Sequence, residues 1–453
     1  MLSPADEALV RRDPAIRGLA TVLDSEAFAA ALEKAFPDMQ IRTARCCSLR
    51  YKPGLSCVAS YRIDVGSEDL ELQAEACADS RAKKVERSLR GARPGGPLGA
   101  SRVQLAESVI LIHLFPDDPG LPVLATADCD WLLRLLPERP DLAHAIRVKL
   151  RYKPKRRYVA RLEGQHGAAL LKLYSAAGYA AAVSGARAFE PSASLGLAPL
   201  IALSDANRAI VLGWVEGALL RNRLTDREFA QAELYATGQA IAHVHLQTGR
   251  GLLPVSRTSQ ATALVDLGNY LSRISPELSA RIGAVVRVLA ERLLALPSCM
   301  RPIHGDFDAS QVVLSDARVT FIDFDRAQLG DPATDLGNFL AYLEYDALHG
   351  RIASDSIACI FSAMLAGYAT AATDVPDLGR IRLDAAAALL KLAPHPFRQR
   401  HPAWTDITGH IVARIELLLS PRETMYSFLA ANNGVRFRAG SATAPIAGLR
   451  NAN

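Results

Sequence analysis

A short stretch in the second half of the chain concentrates side chains that can handle a hydroxyl group and a metal ion. It reads His304-Gly305-Asp306-Phe307-Asp308-Ala309-Ser310-Gln311, and Ile322-Asp323-Phe324-Asp325 follows it. A carboxylate on a loop, such as that of Asp306, can orient a hydroxyl and take its proton. Amide and carboxylate oxygens, such as those of Gln311 and Asp323, are ligands that Mg²⁺ accepts. The stretch therefore predicts a catalytic loop beside an oxygen-rich metal site.

The spacing of these residues resembles the signature of the aminoglycoside phosphotransferase and choline kinase-like superfamily, whose members are related to protein kinases. That signature is His-x-Asp-x-x-x-x-Asn/Gln, followed by an Asp at the end of a short hairpin. This chain carries His304, Asp306 and Gln311, and then Asp323. Gly330-Asp331-Pro332 and Asp335-Leu336-Gly337-Asn338 continue the pattern, so the resemblance covers roughly residues 146–419. It implies transfer of a phosphoryl group from ATP with Mg²⁺ as cofactor.

Several positions of the signature leave a choice of roles. Gln311 replaces the more usual Asn and in this is similar to maltokinase-like members; its amide offers the same ligand atom from a longer side chain. Asp325 is either a second metal ligand or a solvated loop carboxylate. His304 either braces the loop through its ring or takes part in catalysis directly. Asp335, near a predicted helix start, is expected to accept backbone N–H bonds and to hold the catalytic loop.

The elements that must position these residues include an internal repeat. Leu49-Arg50-Tyr51-Lys52-Pro53 recurs as residues 150–154, which is 101 residues further on, and Val58-Ala59 recurs at the same offset. A constant offset indicates two copies of one supersecondary unit. In copy two the periodicity predicts strands and one helix in the order of the small lobe of a protein-kinase-like fold; the strands are 146–152, 158–163, 168–174 and 210–215, and the helix is 178–190.

Copy two contains the residues that would hold the nucleotide. Lys172 lies in an apolar predicted strand, and the resemblance implies that it contacts the α- and β-phosphates of ATP. Protein kinases pair this lysine with a glutamate on the next helix, for which Glu190, at the far end of that helix, is the candidate. In copy one the 101-residue offset places Glu71 at the position of Lys172. A carboxylate there would repel phosphates, so copy one is interpreted as a cap that keeps the small-lobe shape without nucleotide binding.

Two further segments of copy two are candidate nucleotide contacts. The turn 153–157 occupies the place of the phosphate-covering loop, although it contains no glycine, and its Lys155 and Arg157 are either phosphate contacts or solvated cations. The connector 213–217 is expected to offer backbone groups to adenine, with Trp214 and Val215 as contacts; Trp214 is equally compatible with core packing.

These elements predict an α+β protein with a bilobal protein-kinase-like fold. A small β-rich N-lobe and hinge occupy residues 146–217, and a larger helical C-lobe with the catalytic loop occupies residues 218–431. The degenerate N-lobe-like cap and an N-terminal helix occupy residues 1–145, and residues 432–453 are expected to form a flexible tail because they are small, polar and without periodicity.

The composition excludes several classes of protein. The 453 residues are 50% hydrophobic and 22% charged with a net charge of +5, which is ordinary globular composition and gives no reason to expect a nucleic-acid or membrane partner. No run of apolar residues is long enough to span a bilayer. Seven cysteines without metal-like spacing, together with an N-terminus that does not resemble a secretory signal, favour free thiols in the cytoplasm.

The sequence therefore predicts an ATP- and Mg²⁺-dependent kinase that phosphorylates a hydroxyl of a small molecule. A sugar or amino sugar is the predicted acceptor, because of Gln311 and the additional N-terminal unit. An aminoglycoside or a choline-like amino alcohol is the alternative within the same class of enzyme. A catalytically inactive pseudokinase that only binds ligands is the alternative from another class.

Overall fold

The first copy of the repeat folds into a five-stranded antiparallel sheet of order β1-β2-β3-β5-β4. This computed structural model describes residues 2–66, 69–105, 109–126, 130–225, 231–315 and 318–420. The predicted tail at 432–453 lies outside these residues. Three helices precede the sheet and one lies within it; the elements are α1 Pro4–Arg12, α2 Leu19–Leu23, α3 Ser25–Ala35, β1 Thr43–Lys52, β2 Ser56–Asp64, β3 Asp69–Cys77, α4 Ala82–Arg90, β4 Arg102–Leu105 and β5 Ile110–Leu114.

The second copy repeats this arrangement strand for strand, with the order β6-β7-β8-β11-β10. Two short helices, α5 and α6, precede it, and α7 takes the place of α4. Most apolar residues of β7, β8 and β11 are buried, whereas Ile146, Val148 and Leu150 on the edge strand β6 are exposed. The elements are α5 Asp130–Leu135, α6 Pro140–Ala143, β6 Ile146–Lys153, β7 Arg157–Gly164, β8 Gly167–Tyr174, α7 Ala176–Arg187, β9 Gly196–Leu197, β10 Leu200–Ser204 and β11 Ala209–Gly213.

The register of the two sheets corrects the predicted alignment of the copies. Lys172 on β8 lies opposite Val159 on β7, and Glu75 on β3 lies opposite Val58 on β2. Because Val58 and Val159 are 101 residues apart, Glu75 and not Glu71 is the structural counterpart of Lys172. The β2–β3 connection is longer than the tight β7–β8 turn, so the offset shortens after it. The first copy still has a carboxylate at the position equivalent to Lys172, because Glu75, like Glu71, is a glutamate.

The C-lobe is mostly helical and carries the catalytic stretch on short strands. Strands β12, β14 and β15 form a small sheet in which β9 pairs with β15 in parallel, and β13 pairs with β16. The elements are β12 Ala218–Leu219, α8 Leu220–Arg223, α9 Gln231–Leu246, α10 Arg257–Ile274, α11 Ser279–Ala295, β13 Arg301–Ile303, β14 Val312–Ser315, β15 Arg318–Phe321, β16 Gln328–Gly330, α12 Pro332–Leu348, α13 Ser356–Ala371, α14 Leu378–Leu392, α15 His395–Arg398 and α16 Trp404–Leu419. None of the helices in the described ranges is long and apolar enough to cross a membrane.

The hydrophobic cores of the protein do not coincide with the predicted domain boundaries. The core of the second sheet includes Leu121, Trp131 and Leu142, so these residues pack with the small lobe and the boundary at residue 145 cuts through that packing. The first sheet shares one continuous core with the C-lobe helices. The ring of Tyr51 on β1, for example, meets that of Phe397 on α15 edge-on, with centroids 6.2 Å apart.

Each copy begins with an Asp-Pro pair whose carboxylate holds the turn of the first hairpin. In the first copy the Tyr51 hydroxyl and the Gly54 backbone N–H donate to Asp13 Oδ2, at 2.7 and 2.8 Å. In the second copy the Tyr152 hydroxyl and the Lys155 backbone N–H donate to Asp118 Oδ2, at 2.8 and 2.6 Å. Gly54 and Lys155 both have positive φ. The two carboxylates therefore form equivalent clamps on equivalent turns.

Candidate active site

Two cations of the small lobe meet two carboxylates of the C-lobe in one cluster. Lys172 Nζ on β8 lies 2.6 Å from Asp323 Oδ1 and 2.7 Å from Asp325 Oδ1. Arg157 Nη1, at the start of β7, donates to Asp323 Oδ1 at 3.1 Å and also bonds Asp325. The Tyr174 hydroxyl donates to Asp325 Oδ1 at 2.8 Å. The structure thus brings together four of the residues that the sequence predicted, and it adds Tyr174.

The local fold explains why these groups meet. Lys172 is only 4% exposed because β8 lies in the middle of its sheet, between β7 and β11. Asp323 follows β15 and adopts a left-handed backbone conformation, with φ 66° and ψ 50°, which is strained for a residue with a side chain. That turn directs the chain from the hairpin toward the small lobe. Gly185 on α7 packs against it, and a Cβ at that position would lie 1.9 Å from the Phe324 carbonyl oxygen.

The charges of the cluster stabilise one another. Burial alone would raise the pKa of Asp323, but the charges of Lys172 and Arg157 hold it well below its usual range. Burial likewise opposes the charge of Arg157, yet the two carboxylates raise the pKa of Arg157 above its ordinary value. Asp323 therefore remains an ionised oxygen donor at neutral pH.

The catalytic loop is fixed from behind by Asp335, as the sequence predicted. The backbone N–H groups of His304 and Gly305 donate to the two oxygens of Asp335, at 2.7 and 2.8 Å. The His304 ring is fully buried, with Nε2 3.0 Å from the carbonyl oxygen of Ile322, the residue before Asp323. Of the two roles left open for His304, this geometry supports bracing: the ring ties the catalytic loop to the Asp323 loop, so His304 is a positioning residue.

Asp306 is the carboxylate of the loop that faces solvent. Its side chain is 32% exposed, and Arg326 Nη1 lies 3.5 Å from its Oδ1. The neighbouring Asp308 is buried and points elsewhere, since its Oδ1 accepts the backbone N–H of Ser310 at 2.6 Å. Asp306 is therefore the carboxylate of this loop that an acceptor hydroxyl could reach from solvent.

Gln311 lies beside Asp323 because of the β14–β15 register. Val312 pairs with Phe321, and the Ile322 backbone N–H donates to the Gln311 carbonyl oxygen at 3.0 Å. No hydrogen bond of the Gln311 side chain is found within the described residues, so its amide oxygen is available. An amide oxygen beside carboxylates is a donor set that fits Mg²⁺. Across the same residues no group of three or more His, Cys, Asp or Glu could hold a metal, so a Mg²⁺ ion here would need phosphate oxygens as additional ligands.

The structure does not bring Lys155 into the cluster. Its Nζ lies 2.5 Å from Glu75 Oε2 of the first repeat, so the predicted phosphate contact is instead a link between the two sheets. The reason is geometric: the turn points Arg157 into the cleft and Lys155 toward β3. Glu190 is also not a partner of Lys172, since it lies on the surface beyond the end of α7, where Gln247 bonds its backbone.

The connector after β11 is half-buried at Trp214 and Val215. Within the described chain, no hydrogen bond engages the backbone N–H or carbonyl of Val215. The Trp214 N–H donates weakly to the Ala168 carbonyl oxygen at 3.3 Å, and its ring lies 4.5 Å from the guanidinium of Arg161. Trp214 therefore packs on the surface of the sheet, while Val215 can offer backbone groups to a base.

Sequence reasoning missed several residues of the site. Tyr174 lies two positions after Lys172 on one strand and so faces the same way, a signal that could have found it. His245, which the sequence did not connect with the loop, lies with Nε2 3.0 Å from Asp335 Oδ2 and Nδ1 3.0 Å from the Tyr368 hydroxyl. Its position in a helix far from the motif gave no such signal. Arg326, the partner of Asp306, was missed as well.

The phosphotransferase enzyme family (APH) has a sequence model that matches residues 131–383, more than half of the chain. No curated protein sequence is a significant match.

Three solved structures are similar in shape to about two thirds of the chain. One is a choline/ethanolamine kinase family protein from Mesorhizobium loti, with 16% identity, a TM-score of 0.44, and coverage of 65% of this chain and 97% of that one. Another is a thermostable mutant of aminoglycoside phosphotransferase APH(4)-Ia in complex with ADP and hygromycin B, with 14% identity, a TM-score of 0.47, and coverage of 65% and 98%. The third is a macrolide 2′-phosphotransferase from Brachybacterium faecium, with 18% identity, a TM-score of 0.42, and coverage of 62% and 98%. On the match of the family model, this chain belongs to the phosphotransferase enzyme family and is a small-molecule kinase with a hydroxyl acceptor.

Proposed function

We propose that this phosphotransferase transfers the γ-phosphoryl group of ATP, with Mg²⁺, to a hydroxyl of a small molecule. The observation that carries the proposal is the 2.6 Å contact between Lys172 Nζ and Asp323 Oδ1, because it joins the two lobes at one place. Phosphoryl transfer needs a cation that binds the phosphates and a carboxylate that binds the metal ion, and these two groups lie on opposite sides of the triphosphate.

Each residue then has a distinct task. Lys172 and Arg157 bind phosphate oxygens, and Asp323 with Gln311 holds Mg²⁺, which neutralises charge on the phosphates when it is bound. Asp325 is the proposed second oxygen donor. Asp306 orients the acceptor hydroxyl and takes its proton as the bond from oxygen to the γ-phosphorus forms and the bond to the β–γ bridging oxygen breaks, so that ADP leaves.

The class of the acceptor is a more detailed proposal than the type of reaction. A sugar or amino sugar follows from the sequence, with an aminoglycoside or choline-like amino alcohol as the alternative. The structural neighbours include proteins named for aminoglycosides and for macrolides, which leaves this choice open. The cytoplasm is the proposed location, and neither nucleic acid nor membrane is a proposed partner.

Substitution of Asp306 tests the proposed chemistry. Asp306→Asn should lower kcat by about 10²–10⁴-fold, because the hydroxyl loses its proton acceptor, while the affinity for ATP stays within about twofold. An acceptor for this measurement is first identified by an ADP-release assay over sugars, amino sugars, aminoglycosides and amino alcohols. Asp266→Asn, on the exposed face of α10, is the matched control. A variant that keeps most of its activity would reject the role of Asp306.

Substitution of Asp323 separates an enzyme from an inactive binding protein. ATP with Mg²⁺ should raise the Tm of the wild type by more than ATP with EDTA does, and Asp323→Ala should remove this difference. If Mg²⁺ makes no difference to the wild type and no acceptor supports ADP release, the chain uses the fold only as a scaffold.

A further inference from the structure

The buried lysine of the small lobe lacks the helix partner that protein kinases give to its counterpart. In those enzymes a glutamate of the following helix pairs with the lysine, but α7 contains no acidic residue, and Glu190 lies on the surface beyond its end. Lys172 is only 4% exposed. Because a buried ammonium group is costly unless a carboxylate and hydrogen bonds compensate it, another element has to supply the charge.

The loop that follows Asp323 touches both the helix and the strand. Its residues 324–326 pack against α7, where a Cβ at Gly185 would lie 1.9 Å from the Phe324 carbonyl oxygen. The Phe324 ring also meets the ring of Phe189, with centroids 4.7 Å apart. From the same loop, Asp325 reaches Lys172 on β8. The loop therefore lies where a glutamate of α7 would otherwise approach the lysine.

Two side chains of one strand hold a single oxygen of Asp325. Lys172 Nζ lies 2.7 Å from Asp325 Oδ1, and the Tyr174 hydroxyl donates to the same atom at 2.8 Å. The two residues are two positions apart on β8 and so face the same side of the sheet. Tyr174 is 4% exposed, and hydrogen bonds that are shielded from water in this way are strengthened. Lys172, Tyr174 and Asp325 therefore form one fixed unit.

The two carboxylates of the cluster differ in what else they can do. Asp323 lies beside Gln311 at the proposed metal position, so bound Mg²⁺ would share its charge. Asp325 Oδ1 is occupied by an ammonium group and a phenol, and its Oδ2 is bonded by Arg157. The oxygen of Asp325 that remains for a metal is therefore Oδ2, while Oδ1 stays with Lys172.

We infer that Asp325 and Tyr174 are positioning residues for Lys172: Asp325 Oδ1 replaces the missing helix glutamate, and the Tyr174 hydroxyl holds that carboxylate in place. This rests on the proposed function, in which Lys172 binds phosphate oxygens, and it gives the proposed oxygen donor Asp325 a second task. The unit keeps the ammonium group directed into the cleft whether or not a metal is bound.

The substitution Tyr174→Phe tests the inference without changing any charge. The dissociation constant of ADP for the full chain is measured by calorimetry, once with Mg²⁺ and once with EDTA. In both solutions Tyr174→Phe should weaken ADP about tenfold, because phosphate binding must then order an ammonium group that the wild type holds in advance.

Tyr179→Phe is the matched control for this measurement. The Tyr179 hydroxyl, on α7, also donates to a carboxylate at 2.8 Å, but its acceptor is Asp205, outside the cluster. Its substitution should leave the dissociation constant within about twofold. A merely structural role of Tyr174 would lower the Tm and leave ADP affinity equal to that of the control, which would overturn the inference.

The two solutions separate the lysine from the metal. A loss of affinity that appears only with Mg²⁺ would assign Asp325 and Tyr174 to the metal site alone and would reject the role proposed for them. Binding of ADP to the wild type that requires Mg²⁺ would reject it as well, because Lys172 would then not bind phosphate by itself.

A double substitution shows whether Tyr174 acts through Asp325. In the Asp325→Asn background, Tyr174→Phe should change the dissociation constant about twofold or less, because the hydroxyl no longer has a carboxylate to hold. The same tenfold effect in both backgrounds would mean that Tyr174 acts independently of Asp325. If Asp325→Asn does not melt cooperatively, the comparison of Tyr174→Phe with Tyr179→Phe decides alone.

Failure of this inference can be told from failure of the proposed function. If the wild type binds no ADP in either solution, the nucleotide site itself is wrong. If the wild type binds ADP and an acceptor supports turnover, but Tyr174→Phe behaves as Tyr179→Phe does, the kinase stands and only the positioning role is lost.

Discussion

The two five-stranded sheets carry opposite charges at one equivalent position. Lys172 on β8 is flanked by Val159 and Ile210, and Glu75 on β3 is flanked by Val58 and Leu111. Both side chains are almost fully buried. Lys172 binds two carboxylates of the C-lobe, whereas Glu75 binds two ammonium groups, with Lys84 Nζ at 2.6 Å and Lys155 Nζ at 2.5 Å.

The ion-pair partners of Lys172 and Glu75 show how the two repeats differ. Lys84 lies on α4, the helix that follows β3, so the first repeat contains a strand-to-helix ion pair with the charges of the protein-kinase pair reversed. Helix α7 of the second repeat has no acidic residue. Lys155 is part of the turn that also presents Arg157. The first repeat therefore uses Glu75 to hold, through Lys155, the turn of the second repeat that also presents Arg157.

The largest expected effect is at Lys172. Lys172→Met should lower kcat/KM for ATP by about 10²–10³-fold, as loss of a group that stabilises the transferred charge does, with Lys83→Met unchanged. The ADP-release assay with the best acceptor measures both. A loss of less than tenfold would mean that the two sheets do not differ in function as proposed.

The two Asp clamps provide a matched comparison of the repeats. Asp118→Ala should raise KM for ATP about tenfold, because loss of about 1–2 kcal/mol of hydrogen bonding frees the turn that carries Arg157. Asp13→Ala removes the same two bonds from the first copy and should lower the Tm without changing KM. Similar changes of KM in both variants would show that the first repeat also contacts the nucleotide.

A smaller effect is expected at Glu75. Glu75→Gln leaves Lys84 and Lys155 without a carboxylate, which should lower the free energy of unfolding by about 2–3 kcal/mol in urea denaturation. KM for ATP should rise only about twofold to threefold, because Asp118 still holds the backbone of Lys155. Glu86→Gln on the exposed side of α4 is the control. An unchanged stability would remove Glu75 from the contact between the repeats.

The smallest effect concerns pH. Burial opposes the charge of Glu75, but Lys155 and Lys84 outweigh it and lower its pKa to about 2, from 4.5 in the unfolded chain. The stability that Glu75 contributes is therefore present above the unfolded value and is lost as pH falls toward about 2. The difference in free energy of unfolding between the wild type and Glu75→Gln should shrink over that range. A difference that is independent of pH would contradict the ionised pairing.

The sequence predicted the parts of this architecture that depend on local pattern. The pentapeptide offset located both first hairpins because their turns are of equal length. The candidate site residues of the catalytic loop and the following hairpin could be proposed together because their spacing along the chain is short. Asp335 was assigned correctly as a brace because an acid at a helix start has few other partners.

The other features depend on contacts between residues that are far apart in the sequence, and the spacing of residues along the chain does not encode such contacts. The longer β2–β3 connection shifted the counterpart of Lys172 from Glu71 to Glu75, which a constant offset cannot show. Lys155 and Arg157 are two residues apart, yet they point to different sheets, because the approach of the first sheet decides which anion each one meets. The packing of Leu121, Trp131 and Leu142 on the second sheet was likewise hidden, since these residues precede the repeated pentapeptide that marks the second copy.

The core that β1 shares with α15 and α16 has a practical consequence for expression. A shortened gene covering only the family match at residues 131–383 would omit the first sheet together with α15 and α16. It would also end within α14, so the apolar face of α12 that α14 covers would meet water, and the product would be prone to precipitate. Trimming at the family boundaries is thus the wrong strategy for crystallisation or assay of this protein.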